Sequence, residues 1–112
     1  MSDVGKDVDL EIFCIDDIDA ASDFELKHTP NVEIEKLASG QLVKVSMGLK
    51  GLSHPQTAEH LIEWYKVYVD GELQAEAYFG ADDEPVAEFT IDSLDEVVVW
   101  AFCNLHGIWQ SI

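Results

Sequence analysis

Apolar and polar residues alternate with period two along most of this chain. "NVEIEK" (31–36) sets Val32 and Ile34 against Glu33 and Glu35, and "QLVKVSMG" (41–48) sets Val43, Val45 and Met47 against Leu42, Lys44 and Ser46. Successive side chains of a strand point to opposite faces, so this pattern predicts half-buried strands. "LIEWYKVYV" (61–69) runs into Asp70-Gly71, and "ELQAEAYF" (72–79) follows with Leu73, Ala75, Ala77 and Phe79 in phase. Asp-Gly between two such runs predicts a tight hairpin, because the central residues of the turn need positive φ. "PVAEFTI" (85–91) predicts a further short strand, and "EVVVWAFC" (96–103) is apolar on both faces, as a central strand covered on both sides would be. One more strand is expected around "LEIFCI" (10–15). Six or seven short strands separated by turn residues predict an all-β chain, an antiparallel β-sandwich.

Composition narrows the function classes. The 112 residues are expected to form one domain, 1–112, with no linker or internal repeat. Apolar residues make up 47%, which excludes disorder by composition. Net charge is −17, from 23 acidic residues against 6 lysines and no arginine. Phosphate binding needs clustered Lys and Arg, so no nucleic acid is expected as a partner. The first 25 residues carry nine of the acids and only Lys6, and read as an acidic N-terminal arm. Such acidity also fits a salt-rich cytoplasm; a stability curve flat from low to molar salt would count against that hypothesis. No apolar run is long enough to predict a membrane span, and "MSDVGKDVDLEIF" has neither the basic nor the apolar region of a secretory signal. Two cysteines, Cys14 and Cys103, are too few for a disulfide framework, so a reducing cytoplasm is the expected setting. Cys14 is expected to be a buried, inert thiol.

The histidines carry the chemistry. His28 in "KHTP", His54 and His60 in "SHPQTAEH" and His106 in "CNLH" all fall outside the expected strands, in loops or at strand ends. Loops of a sandwich cluster at the ends of its sheets, so four dispersed positions can converge there. Cys103 and His106 stand three residues apart, a spacing that lets one turn supply two metal ligands. Neutral imidazole and thiolate are both strong ligands. Against this, a lone loop histidine is usually a surface residue, and a lone buried cysteine usually a small hydrophobe. Structural zinc takes four ligands, whereas four imidazoles and a thiolate make five and suit an octahedral-type ion with one open position, with iron the natural redox candidate.

Three segments, "KHTPNVEI", "GLSHPQTAEHLIEWYKVYVDG" and "AFCNLHGIW", resemble the superoxide reductase family, the neelaredoxin and desulfoferrodoxin iron centres, in order and in spacing from Lys27 to Trp109. The resemblance implies a seven-stranded immunoglobulin-like sandwich, with His28, His54, His60 and His106 as four equatorial ligands of one iron and Cys103 as the axial thiolate. It implies one-electron reduction of superoxide to hydrogen peroxide, re-reduction by an external donor of the rubredoxin kind, and a homo-oligomer, dimer or tetramer. Two-iron members carry an extra desulforedoxin-type N-terminal domain with four cysteines; only Cys14 lies upstream here, so a one-iron member is expected. Lys27 matches the family lysine beside the first ligand, and its charge would attract the anion and hold water for protonation.

One position departs from the family. Many relatives place a glutamate two residues before the first ligand histidine, where it fills the open site in the ferric state. Leu26 stands there and offers no donor atom, and Glu25, one residue earlier in a segment expected to be extended, should point the other way. Trp64, Trp100 and Trp109 are expected in the core. Two rival readings share the sandwich: a zinc-stabilised structural domain and a metal-free binding module. An oxidised thiolate–iron site would be blue, while the rivals would be colourless.

Overall fold

The computed structural model describes residues 11–112; the first ten residues of the acidic arm lie outside the described residues. In chain order the elements are β1 (Ile12–Phe13), α1 (Asp23–His28), β2 (Pro30–Lys36), β3 (Gln41–Met47), β4 (Ile62–Val69), β5 (Glu72–Tyr78), β6 (Ala87–Ile91), β7 (Val97–Cys103) and β8 (Gly107–Gln110). Five strands form one sheet in the order β1-β8-β7-β4-β5, and three form the other in the order β2-β3-β6. Every pairing is antiparallel except β1 with β8. No helix among the described residues is long and apolar enough to cross a membrane.

The alternation in β3 is realised as expected. Val43, Val45 and Met47 are buried and meet Tyr65, Val67, Val99 and Ala101 of the opposite sheet. Val43, Val67 and Val99 are fully buried, and each such side chain contributes roughly 1.5–3 kcal/mol relative to exposure. The hairpin also forms where Asp-Gly placed it: Asp70 and Gly71 both have positive φ, 52° and 79°. In β5 the phase changes. A register shift between Val67 and Tyr68 leaves Ala75 and Ala77 opposite Val67 and Tyr65, while Leu73 pairs with Tyr68 and is 45% exposed. A bulge moves the side chains beyond it to the other face, which the period-two pattern does not register. Strand β7 is central, but its outer face is covered by neighbouring aromatics rather than by a second layer. There Phe102 stacks on Trp64, and Trp100 packs on Tyr68. Trp64 and Trp100 are therefore half-buried on the outside of the sheet, and only Trp109 of the three tryptophans is in the core. Cys14 is exposed, with Ile15 the buried residue of its segment.

Two elements were not anticipated. Strand β8 is four residues, "GIWQ", too short to show alternation. Helix α1 occupies the segment expected to be extended. Ser22 caps it: Ser22 Oγ accepts from Glu25 N–H, and the Glu25 carboxylate accepts from Ser22 N–H at 2.9 Å. This reciprocal pair is the capping box, and S-x-x-E in the sequence is its signature. The helix stops at Thr29 because Pro30 disfavours helical φ/ψ in the residue before it. Leu26 points into a second cluster with Ile15, Leu49 and Trp109. The expected ligand Cys103 belongs to the main core, and the expected ligand His28 follows two residues after Leu26 of this second cluster.

Candidate metal centre

Three connections meet at one end of the sandwich. Helix α1 ends in His28, the β3–β4 loop carries His54 and His60, and β7 ends in Cys103 just before the turn with His106. Ligand atoms of His28, His54, His60 and Cys103 all lie within 4.8 Å of one another. His106 adjoins this group, its ring centroid 4.9 Å from that of His28 and 5.2 Å from that of His60. All five sequence-expected ligands are thus brought together, although His28 stands at the end of a helix rather than in a loop. Lys27, half-buried, precedes His28 in the last turn of α1.

The hydrogen bonds define which nitrogens face the centre. His28 Nδ1 lies 2.7 Å from the Phe24 carbonyl oxygen, and His54 Nδ1 lies 2.6 Å from that of Pro55. A carbonyl only accepts, so each Nδ1 carries the proton and each Nε2 is left with its lone pair. The Nε2 atoms of His28, His54 and His60 are buried and have no hydrogen-bond partner. A buried unpaired acceptor costs roughly 1–3 kcal/mol. Three unpartnered imidazole nitrogens beside one buried sulfur are what a cation of the zinc or iron type requires, so the donor set fits a metal centre.

Electrostatics favour the ligand-ready imidazoles. Burial lowers the pKa of His28 and His60, and lowers that of His54 to about 4. All three stay neutral where a free histidine would begin to protonate. Burial pushes the Cys103 thiol up, opposed by the N–H groups of Leu105 and His106. A cation in the centre reverses that balance, since a coordinating thiol is deprotonated outright.

Residues around the ligands hold the loops in register. Gln56 Nε2 donates to the carbonyls of Ile62 and Gly80, and its Oε1 accepts from Ile62 N–H, which closes the loop bearing His54 and His60 onto β4. Asn104 Oδ1 accepts from Leu61 N–H at 2.9 Å, and its Nδ2 donates to Glu59 O at 3.0 Å. Gly107 has φ 87°, which lets the chain turn back into β8 directly after His106. Trp109 Nε1 donates to the His106 carbonyl. Phe24 packs its ring on His28 and His106. The sequence pattern alone does not mark Phe24, Gln56 or Asn104 as site residues. Asn104 lies inside the C-N-x-H motif and was accessible there; Gln56 and Phe24 have no local signal beyond their closeness to ligands.

A sequence model of the family described as desulfoferrodoxin matches residues 20–112. The chain belongs to the desulfoferrodoxin family. A desulfoferrodoxin homolog of Archaeoglobus fulgidus is 42% identical over 85 residues, which cover 76% of this chain and 62% of that protein. The chain therefore spans less than two-thirds of that relative. A protein named superoxide reductase from Pyrococcus abyssi is 34% identical over 98 residues, covering 76% of this chain and 84% of its own length. Among solved structures, a superoxide reductase (neelaredoxin) from Ignicoccus hospitalis superposes with a TM-score of 0.67 at 26% identity, covering 98% of this chain and 94% of that one. The family match spans α1 and the strands from β2 to β8, and the converging histidines and cysteine lie inside it.

Proposed function

We propose that this desulfoferrodoxin-family chain is a superoxide reductase with one iron held by His28, His54, His60, His106 and Cys103. The observation that carries the proposal is the convergence of three buried, unpartnered Nε2 atoms with the Cys103 sulfur, in a chain whose relatives bear that name. When bound, the iron supplies one electron to superoxide, which takes up two protons and leaves as hydrogen peroxide. The same unpartnered nitrogens weigh against a metal-free binding module.

The chain's own residues do the rest. The carbonyls of Phe24 and Pro55 hold His28 and His54 in the tautomer that presents Nε2. Cys103 is fully buried, so water is kept from its sulfur, and the backbone N–H groups of Leu105 and His106 moderate its charge. Lys27 provides a cation one residue from His28, to draw in the anion and to hold a water that delivers protons. Glu25 is engaged at the helix cap and Leu26 in the core, so neither competes for the metal. Repeated turnover needs an external one-electron donor, for which a rubredoxin-like protein is proposed, and a homo-oligomer in a reducing cytoplasm is the proposed setting.

The test is metal analysis of anaerobically purified protein together with its oxidised spectrum. One iron per chain and a blue thiolate-to-iron band are expected, and Cys103→Ser should abolish the band. Zinc loading when iron is plentiful, or a Cys103→Ser protein that keeps the band, would overturn the assignment.

A further inference from the structure

Phe24 sits in the first turn of α1 between Asp23 and Glu25 and is 46% exposed. Its neighbour Leu26 anchors the helix in the second cluster at 4% exposure, so anchoring does not account for Phe24. Its ring centroid lies 4.4 Å from that of His28 at an interplanar angle of 39°, and 4.9 Å from that of His106 at 81°. The His28 and His106 rings are perpendicular to each other, at 89°. Phe24 therefore fills the corner between two imidazoles that enter from opposite ends of the chain. Trp109 stands behind them, 5.4 Å from His28 and 5.8 Å from Phe24.

The two imidazoles differ in what else fixes them. His28 is held through Nδ1 by the Phe24 carbonyl. The His106 ring has ring contacts with Phe24, His28 and His60 but no hydrogen-bond partner among the described residues. Packing is then what sets its rotation, and Phe24 is the one of these three neighbours that is not itself an expected ligand. Edge-to-face contact favours one relative orientation of two rings over others. An aliphatic side chain of similar volume lacks that preference.

We infer that Phe24 is a positioning residue of the metal centre, whose ring fixes the orientation of His106, and with it His28, and shields their outer edges from water. The inference rests on the proposed ligand roles of those two histidines. Substitutions at Phe24 leave its backbone carbonyl in place, so they isolate the ring from the Nδ1 hydrogen bond. Metal-free protein would be titrated anaerobically with cobalt(II) against a competing chelator, following the sulfur-to-cobalt charge-transfer band. Phe24→Ala and Phe24→Leu should still bind one cobalt, about 10- to 100-fold more weakly, as losses of residues that orient metal ligands typically do. Phe24→Tyr, which keeps the ring, should stay close to wild type. The reduction potential of the iron-loaded protein should move in the alanine and leucine variants and not in the tyrosine variant. Should Phe24→Ala not fold, the leucine and tyrosine pair decides the question alone. Wild-type affinity and an unaltered band in Phe24→Leu would overturn the inference. A wild-type protein with no sulfur-to-cobalt band would instead remove the ligand set, and the inference with it.

Discussion

Replacing Asn104 with alanine tests whether the bridge between the His60 loop and the end of β7 serves the fold alone or the metal as well. The substitution deletes the bonds to Leu61 N–H at 2.9 Å and Glu59 O at 3.0 Å. It keeps the backbone bond from Asn104 N–H to Leu61 O at 3.2 Å. Each side-chain bond contributes about 1 kcal/mol net, and the half-buried Leu61 N–H left without an acceptor adds about 1 kcal/mol more, so metal-free protein should lose about 2–3 kcal/mol. Metal-loaded protein should lose more. Loosening His60 should weaken metal binding about 10-fold or more, which in saturating metal adds at least about 1.4 kcal/mol. The assay is urea unfolding of wild type and Asn104→Ala, each with and without metal. Asn104→Asp keeps an acceptor for Leu61 N–H and sets a carboxylate against the Glu59 carbonyl, so its loss should be at least as clear in the metal-loaded form. Equal losses with and without metal would make the bridge purely structural, and a loss below about 1 kcal/mol in both would refute the accounting itself.

Three further outcomes follow from the same geometry. Lys27→Ala should slow the reaction with superoxide by roughly tenfold or more, measured by pulse radiolysis, because it removes the cation next to the first ligand; an unchanged rate would make Lys27 a surface lysine. Glu25→Ala should cost about 1 kcal/mol through loss of the capping box, while the oxidised spectrum stays as in wild type, since the carboxylate is held at Ser22 N–H; an altered spectrum would place Glu25 at the metal. Metal-free protein should lose stability in acid through His54, whose pKa is lowered from 6.5 to about 4. A buried imidazole with a lowered pKa resists protonation in the folded state, so its contribution is complete above about 6.5 and is lost as pH falls toward about 4. At about 1.4 kcal/mol per pKa unit this amounts to about 3 kcal/mol. His54→Gln should flatten the stability profile in that window, and a profile unchanged by the substitution would refute the claim.

Strands β3 and β4 are legible in the sequence because their pattern and their physics coincide. Val43, Val45 and Met47 alternate with polar neighbours and are buried by the opposing sheet. Asp70-Gly71 announces the only conformation that suits it. The misread elements share a different cause. Leu73 falls on the other face from the one its alternation predicts, because the extra residue Gln74 of β5 shows only once β5 is paired with β4. Helix α1 is too short for a 3.6-residue period to appear in six residues, and only the Ser22–Glu25 cap marks it. Hydrophobicity predicts Trp64 and Trp100 in the core, yet each is half-buried on an outer face against one aromatic neighbour, Phe102 and Tyr68 respectively. For the site, residue chemistry suggested five donors and the resemblance selected them. What the sequence did not contain is the scaffold of Gln56, Asn104 and Phe24, whose roles depend on partners far away along the chain, such as Gly80 for Gln56 and His106 for Phe24.

The placement of the centre explains why the buried side-chain nitrogens left without partners among the described residues are those of His28, His54 and His60. Each of His28, His54 and His60 would be better as an apolar residue if stability alone decided, since burying an unpaired acceptor works against folding. The exceptions are confined to one point, and they face a sulfur that is fully buried. Local rules broken together at one place are the mark of a functional site, with the cost offset elsewhere. Here the offset has two sources. The second cluster of Ile15, Leu26, Leu49 and Trp109 fixes the helix that carries His28. The bound metal would then join three connections that are distant in sequence, and each loop it closes removes conformations from the unfolded chain. Metal loading should therefore stabilise α1 against the sandwich as well as equip it for chemistry, because His28 is the residue of α1 in the clustered donor set and Cys103 is the last residue of β7.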